Sequence, residues 1–179
     1  MKVLLDACVL YPTVMREMLL AAAAKGFFTP QWSARILEEW ARAAARHGPV
    51  QEAQARGEIA LTMAAWPGAG VKLRQGLEAR LWLPDPADVH VLAAAISGSA
   101  DVICTLNAKD FPRNILAEEG LSRADPDALL RGFYDADAAG LHDAAQGVLD
   151  TANALSGEVW EMRQLLKKAR LPRTAKALG

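Results

Sequence analysis

The stretch that decides the fold is Met1-Lys2-Val3-Leu4-Leu5-Asp6-Ala7-Cys8-Val9-Leu10-Tyr11-Pro12. Val3, Leu4 and Leu5 form a short apolar run, which is typical of a buried strand. This strand ends on one carboxylate, Asp6, and open α/β sheets bind ligands outside the carboxyl ends of their strands. Asp is also a common helix cap. Because Pro12, the expected first helical residue, lies six positions further on, we interpret Asp6 as functional rather than as that cap.

Length and composition indicate one domain, or a domain with an appendage. The chain has 179 residues, 52% of them hydrophobic, so it can bury a sizeable core. Its net charge of -1 gives no global case for nucleic-acid binding, so any such surface must be local. No apolar run at the start suits a signal peptide or a membrane span. Cys8 and Cys104 lie in apolar runs, which favours reduced thiols, and we expect a cytoplasmic protein without membrane contact.

Helices and strands are predicted to alternate over the first two thirds of the chain. The expected helices cover about 12–25, 33–47, 51–77 with a break at 66–70, and 85–97, and a strand or turn lies at 26–30. Ser33 and Asp85 are the expected N-caps of the second and the last of these helices. Leu81–Leu83 and 101–105 are expected strands that flank the last of these helices. Strand, helix and strand in so few residues form a βαβ unit, which implies a parallel sheet.

The character of the chain changes at about residue 125. The segment 126–170 contains no strand-like run and is rich in Ala and Leu, with Gly140 and Gly157 as expected breaks. The tail from 163 to 176 is basic. We therefore expect an α/β domain over 1–124 and a helical extension over 125–179.

Four acidic residues are expected at the ends or edges of elements. Strand ends converge at the carboxyl edge of a parallel sheet, and three or four oxygen ligands at one place suit Mg²⁺ or Mn²⁺. Each acid also has an ordinary interpretation: a helix N-terminus for Asp88, a solvated helix surface for Glu39, and a turn for Asp110. His47, His90 and His142 are scattered, and we interpret each as structural or solvated. The four acids are Asp6, Glu39, Asp88 and Asp110.

Four stretches of the chain, taken in order, resemble the successive motifs of PIN-domain ribonucleases, a family that includes the VapC-type toxins of bacterial toxin–antitoxin pairs. They cover roughly residues 1–115 and are Leu4–Pro12, Trp32–Glu39, Asp88–Ala95 and Val102–Pro112. The resemblance implies a three-layer α/β fold with a parallel central sheet, followed here by a helical extension. It also implies hydrolysis of RNA phosphodiester bonds with Mg²⁺ or Mn²⁺.

The resemblance assigns the site to particular positions. Glu39 matches the family's helix glutamate better than Glu38, because that glutamate usually falls just before a bulky residue, which is Trp40 in this chain. The fourth acidic position is occupied by Asn107, a departure, and Asp110 lies three residues further on. An amide oxygen can ligate a hard cation but brings no charge. The catalytic acids are then Asp6, Glu39, Asp88 and Asp110, and the metal ligands are these four with Asn107.

Partners follow from the same resemblance. The substrate is RNA, and toxin-like relatives are held inactive by a small antitoxin protein; the sequence leaves a homodimer open. Cations must hold the RNA backbone. The local candidates are Arg16, Arg35, Arg42 and Lys109.

Two rival functions are weighed against the ribonuclease. A phosphatase of the haloacid-dehalogenase type needs a second Asp two residues after the first, and that position is Cys8. A non-catalytic interaction protein with a decayed metal site is favoured by Asn107. A metal-binding titration separates this second rival from the enzyme.

Overall fold

The computed structural model describes every residue from Met1 to Gly179. The chain forms two compact units, the first made of Met1–Tyr11 and Thr29–Arg123, the second of Pro12–Phe28 and Ala124–Gly179. The second unit thus takes up an early segment, whereas the expected division into 1–124 and 125–179 is continuous. None of the helices has the length and apolar character that crossing a membrane requires.

A five-stranded sheet organises the first unit, in the order β3-β2-β1-β4-β5. Its strands are β1 (Lys2–Leu5), β2 (Thr29–Ser33), β3 (Gly70–Val71), β4 (Val102–Cys104) and β5 (Ser122–Ala124). The central strand β1 pairs in parallel with β2 and β4, so that Val3 lies opposite Pro30 and Val102. Val3, Leu4 and Leu5 are completely buried, as their apolar run predicts. Helices flank the sheet, and the predicted α/β class with a parallel central sheet is confirmed.

Ten α-helices complete the chain. They are α1 (Ala7–Leu10), α2 (Thr13–Ala24), α3 (Ala34–Ala45), α4 (Pro49–Ala65), α5 (Val89–Ser97), α6 (Arg113–Glu118), α7 (Pro126–Ala136), α8 (Ala138–Ser156), α9 (Met162–Lys168) and α10 (Pro172–Leu178). Ser33 caps α3 as expected, since its hydroxyl accepts the N–H of Ile36 at 3.2 Å. Short 3₁₀ turns at Pro86–Asp88 and Ala108–Asp110 precede α5 and α6.

The predicted strand at Leu81–Leu83 is wrong. These residues pair with no other strand; Leu83 is buried, whereas Trp82 is 66% exposed. The strand that precedes α5 is β3, whose Gly-Val pair is too short for an apolar pattern to reveal it. An apolar run therefore marked burial at this point of the chain rather than pairing.

The second unit contains α2 and α7 to α10, so the predicted helical extension is confirmed. Asp127, buried in α7, accepts the backbone N–H groups of Arg173 and Thr174 at 2.8 and 2.9 Å. These bonds cap the start of α10. Gly157 ends α8 with φ of 67°, as predicted. Gly140 instead lies in the first turn of α8, where its N–H donates to Asp137, so the predicted break there is wrong.

Candidate metal centre

The order in which the chain adds strands to the sheet reverses at β1. From β1 the chain adds β2 and β3 on one side and later returns to add β4 and β5 on the other. In open α/β sheets this topological switch point is where ligands bind, outside the carboxyl ends of the strands. Asp6 follows β1 and Thr105 follows β4, so both lie at that point.

Asp6 is buried, and both of its carboxylate oxygens accept hydrogen bonds. Its Oδ1 accepts the N–H of Ala7 at 2.7 Å, and its Oδ2 accepts the hydroxyl of Thr105 at 2.7 Å. Asp6 therefore caps the short helix α1, which the sequence does not predict, whereas the helix expected to open near Pro12 begins after Pro12 and not after Asp6. The sequence does not reveal this capping role, because a helix of four residues is too short to produce a periodic pattern. The carboxylate nevertheless remains at the switch point, where its charge acts on neighbouring groups.

The thiol of Cys8 is a third donor to Asp6. Its Sγ lies 3.2 Å from Oδ2 of Asp6 and accepts the N–H of Leu106 at 3.3 Å. Burial and then the negative charge of Asp6 raise the pKa of the Cys8 thiol to about 12. The thiol therefore stays protonated at neutral pH and is a poor nucleophile.

Three carboxylates form a cluster beside this point. Asp85, Asp88 and Asp110 each offer an oxygen atom, and these atoms lie within 4.8 Å of one another. Asp85 also caps the turn that leads into α5, because its Oδ1 accepts the N–H of Ala87 at 2.9 Å. Asp88 occupies the N-cap position of α5 but makes no side-chain cap bond, so the helix terminus does not occupy its carboxylate.

The pKa of Asp88 shows that the predicted acids converge. Burial raises this pKa most, and the charges of neighbouring carboxylates add to it, bringing it to about 6. The contributing carboxylates, in decreasing order, are Asp6, Asp85, Asp110 and Glu39. Like charges held this close favour either a shared proton or a bound cation.

Asn107 bridges the acids as a donor. Its Nδ2 donates to Oδ2 of Asp110 and lies 3.4 Å from Oδ2 of Asp88. Its backbone N–H donates to the hydroxyl of Thr105 at 3.0 Å. The amide thus offsets part of the repulsion between the two carboxylates.

Glu38 and Glu39 have different surroundings. Glu38 pairs with Arg56 at 3.0 Å and with Arg42 at 3.4 Å, and the Arg56 guanidinium lowers the pKa of that carboxyl. Glu39 instead lies beside His90, whose Nε2 comes within 2.7 Å of Oε1 of Glu39 without the alignment of a hydrogen bond. His90 is buried, so its interpretation as a structural or solvated residue missed this contact.

The predicted RNA-binding cations have unequal exposure. Arg16 is 2% exposed, and its Nε donates to Glu17. Arg35 lies 4.0 Å from Glu39, and Arg42 pairs with Glu38 as described above. Lys109 is exposed in the turn that carries Asp110. The RNA-binding role of all four remains a prediction.

Sequence reasoning missed Asp85 and Thr105 as site residues. The sequence predicts Asp85 only as a helix cap, although its spacing of three from Asp88 places both acids on one turn. Thr105 carries no charge and drew no attention, but it directly follows the strand β4. A polar residue at each strand end is the signal that would have found it.

The comparisons with known proteins agree with this geometry. A family model described as PIN domain matches residues 2–109, more than half of the chain, and the chain therefore belongs to the PIN-domain family. Proteins of this family are generally metal-dependent nucleases. No significant match is found among curated proteins or among solved structures. The three clustered carboxylates, Asp85, Asp88 and Asp110, suit a metal of this kind, because hard divalent cations prefer oxygen ligands.

Proposed function

We propose that this protein is a Mg²⁺- or Mn²⁺-dependent endoribonuclease that hydrolyses RNA phosphodiester bonds. The observation that carries the proposal is the environment of Asp88. Its pKa is raised to about 6, partly by four surrounding carboxylates, at the topological switch point of a PIN-domain sheet. Such a concentration of negative charge is costly unless a cation is bound there.

The acidic residues of the site have different roles in this proposal. Asp85, Asp88 and Asp110 would hold the cation, whose bound form lowers the pKa of water and offsets charge on the phosphate oxygens. Asp6 adds charge from a fixed position, because Ala7 and Thr105 hold its two oxygens. Glu39 contributes charge from the neighbouring helix α3.

No nucleophilic side chain is needed for this hydrolysis. The thiol nearest the site belongs to Cys8, and its raised pKa of about 12 keeps it protonated. The role of the chain is to place carboxylate oxygens at one point and to position the phosphate there. This favours metal-assisted hydrolysis over a covalent mechanism.

The decisive experiment is an RNA cleavage assay with purified protein and total RNA, in Mg²⁺, Mn²⁺ or EDTA. We expect cleavage with either metal, none in EDTA, and a loss of at least about a hundredfold in Asp88→Asn, since a ligand to the catalytic metal is removed. The matched control is Asp150→Asn, an exposed acid in α8. Cleavage that survives in Asp88→Asn would come from a contaminant or another site and would overturn the proposal.

We also propose that the nuclease is the toxin of a toxin–antitoxin pair, in which a small protein holds it inactive. The support is the resemblance of its motifs to those of VapC-type toxins. Expression of the chain alone should then slow bacterial growth, and Asp88→Asn should relieve the effect. Harmless expression of an RNA-cleaving wild type would instead indicate a housekeeping nuclease.

Asn107 favours one alternative, a non-catalytic interaction protein with a decayed metal site. The amide stands at the family's fourth acidic position and donates to Asp110, so the site carries one charge fewer than a fully acidic one. Calorimetric titration with Mn²⁺ distinguishes the two functions. Saturable binding by wild type that is lost in Asp88→Asn supports the enzyme, and no binding supports the alternative.

A further inference from the structure

The two ends of the second unit carry opposite charge. Residues 124–161 contain eight acidic residues and one Arg, whereas residues 162–179 contain six basic residues and no acid. The six basic residues are Arg163, Lys167, Lys168, Arg170, Arg173 and Lys176. A chain with a net charge of -1 has therefore concentrated a local charge of +6 in its last eighteen residues.

These residues fold into a helical hairpin, which we call the basic hairpin (Met162–Gly179). It consists of α9 and α10, and Gly179 returns so close to the start of α9 that a Cβ on it would lie 2.5 Å from Cβ of Arg163. Leu166, Leu171 and Ala175 are completely buried. All six basic side chains are exposed, so the hairpin turns its apolar side inward and its charge outward.

The positive charges of the basic hairpin are not neutralised within the chain. None of the six cations lies within 4.0 Å of a carboxylate oxygen, whereas Lys25 and Arg131 of the same unit pair with Asp143 and Asp135. Lys168 packs instead on the ring of Trp160, with Nζ 4.4 Å from the ring centroid. A dense, unpaired set of cations on a folded surface attracts a polyanion.

We propose that the basic hairpin binds the phosphate backbone of single-stranded RNA and supplies the substrate of the nuclease with a second contact, made by residues outside the metal centre. The inference rests on the proposed ribonuclease function. Phosphate binding requires only charge and donors, both of which Lys and Arg supply. Most protein interfaces and amphipathic membrane helices are anchored by an exposed apolar face, and no large apolar side chain of the hairpin is exposed, which favours a partner bound through charge alone.

The test measures binding separately from cleavage. Fluorescence anisotropy with a labelled single-stranded RNA in EDTA gives the dissociation constant of the full chain at several salt concentrations. The test variant is Lys167→Gln/Arg173→Gln, which removes one cation from each helix of the hairpin. The matched control is Lys25→Gln/Arg131→Gln, which removes one Lys and one Arg from the same unit, both already paired with acids.

We expect the test variant to bind RNA more weakly and to reduce the slope of log K against log salt by about 1.4, because each phosphate contact on a single strand contributes roughly 0.7. The control should keep the slope of the wild type. Circular dichroism melts of both variants show whether each is folded. If the test variant is unfolded, Lys176→Gln alone is used, with an expected slope change of about 0.7.

The outcomes separate this inference from the proposed function. Metal-dependent RNA cleavage with an unchanged salt slope in the test variant would overturn the inference and leave the nuclease standing. RNA binding through the hairpin by a chain that cleaves no RNA would support the hairpin as an RNA-binding surface and overturn the nuclease. Preferential binding of an acidic peptide or of anionic vesicles, added as competitors, would overturn the choice of RNA.

Discussion

The hydroxyl of Thr105 donates to Oδ2 of Asp6 across 2.7 Å and joins the residues that follow two adjacent parallel strands. Both side chains are buried. The same hydroxyl oxygen accepts the backbone N–H of Asn107 at 3.0 Å. One uncharged residue therefore positions both the first acid of the metal centre and the loop that carries Asp110.

This geometry predicts that Thr105→Val destabilises the protein and weakens the metal centre. Valine fills the same space but removes one of the donors to the buried carboxylate of Asp6 and leaves the backbone N–H of Asn107 without its partner, which costs about 1–3 kcal/mol of unfolding free energy. Urea unfolding measures this cost. Thr105→Ser keeps the hydroxyl and should retain most of the stability and the activity. Thr151→Val, which removes an exposed hydroxyl bonded to Gly147, should change little.

The raised pKa of Asp88 predicts how stability depends on pH in the absence of metal. Its pKa is about 6 in the folded protein against 3.8 for the ordinary side chain, so the folded state binds the proton more tightly than the unfolded state. The charged carboxylate therefore destabilises the fold above about pH 6, and this penalty fades as pH falls from 6 towards 4. After allowance for solvent screening the gain is on the order of 1 kcal/mol.

Chemical unfolding at pH 7.5 and pH 5 in EDTA checks this expectation, with Asp88→Asn as the comparison. The variant should be more stable than wild type at the higher pH, because the repulsion by Asp6, Asp85 and Asp110 is removed. Its stability should also change less between the two pH values. Equal pH dependence in both proteins would show that Asp88 does not carry the effect.

The sequence predicted most of the first unit because its signals are local. Val3, Leu4 and Leu5 mark a central strand by their apolar run, and Ser33 and Asp85 mark helix starts by their capping chemistry. The strands that were missed, β3 and β5, have two and three residues, too few for any periodicity to show. Their pairing is fixed by neighbours that are distant in the chain.

Most of the acidic residues of the site could be predicted from the sequence, but their contacts with other side chains could not. Two of the acids that converge on Asp88, Asp6 and Asp110, were predicted from their positions after strands. The partners of the acids, Thr105 bonded to Asp6 and His90 beside Glu39, are 99 and 51 residues away from them in the chain and leave no local pattern. Pro12–Phe28 belongs to the same unit as the C-terminal helices because of contacts between residues far apart in the chain, which no local pattern predicts.

The loop after β4 contains Asn107, which stands where the family has its fourth acid, and this difference leads to a prediction. Asp110 belongs to the carboxylate cluster, whereas Asn107 presents an amide donor to it. Asp110→Asn should therefore reduce Mn²⁺ affinity and RNA cleavage much more than Asn107→Ala. Calorimetric titration and initial cleavage rates measure both effects. The reverse order would show that the Asn107 oxygen ligates the cation, and negligible effects from both would exclude this loop from the site.

Asp85 gives the sharpest test of the metal centre, because its structural role and its proposed ligand role can be separated. Its Oδ1 caps the turn before α5, and asparagine caps helices as well as aspartate does. Asp85→Asn should therefore fold normally, while it removes one of the three clustered charges. Mn²⁺ at about a hundred times its dissociation constant should stabilise wild type by about 2.7 kcal/mol, and the variant should gain much less at the same concentration.

Thermal melts of wild type, Asp85→Asn and the exposed-acid control Asp150→Asn, each with EDTA and with millimolar Mn²⁺, measure this difference. The control should respond to the metal as wild type does. In EDTA the variant should melt no lower than wild type, because a repulsive charge has been removed from beside Asp88. A full response to Mn²⁺ in Asp85→Asn would remove Asp85 from the ligand set. A wild-type melting temperature unmoved by Mn²⁺ would show that the cluster holds no cation and that the chain is not a metal-dependent nuclease.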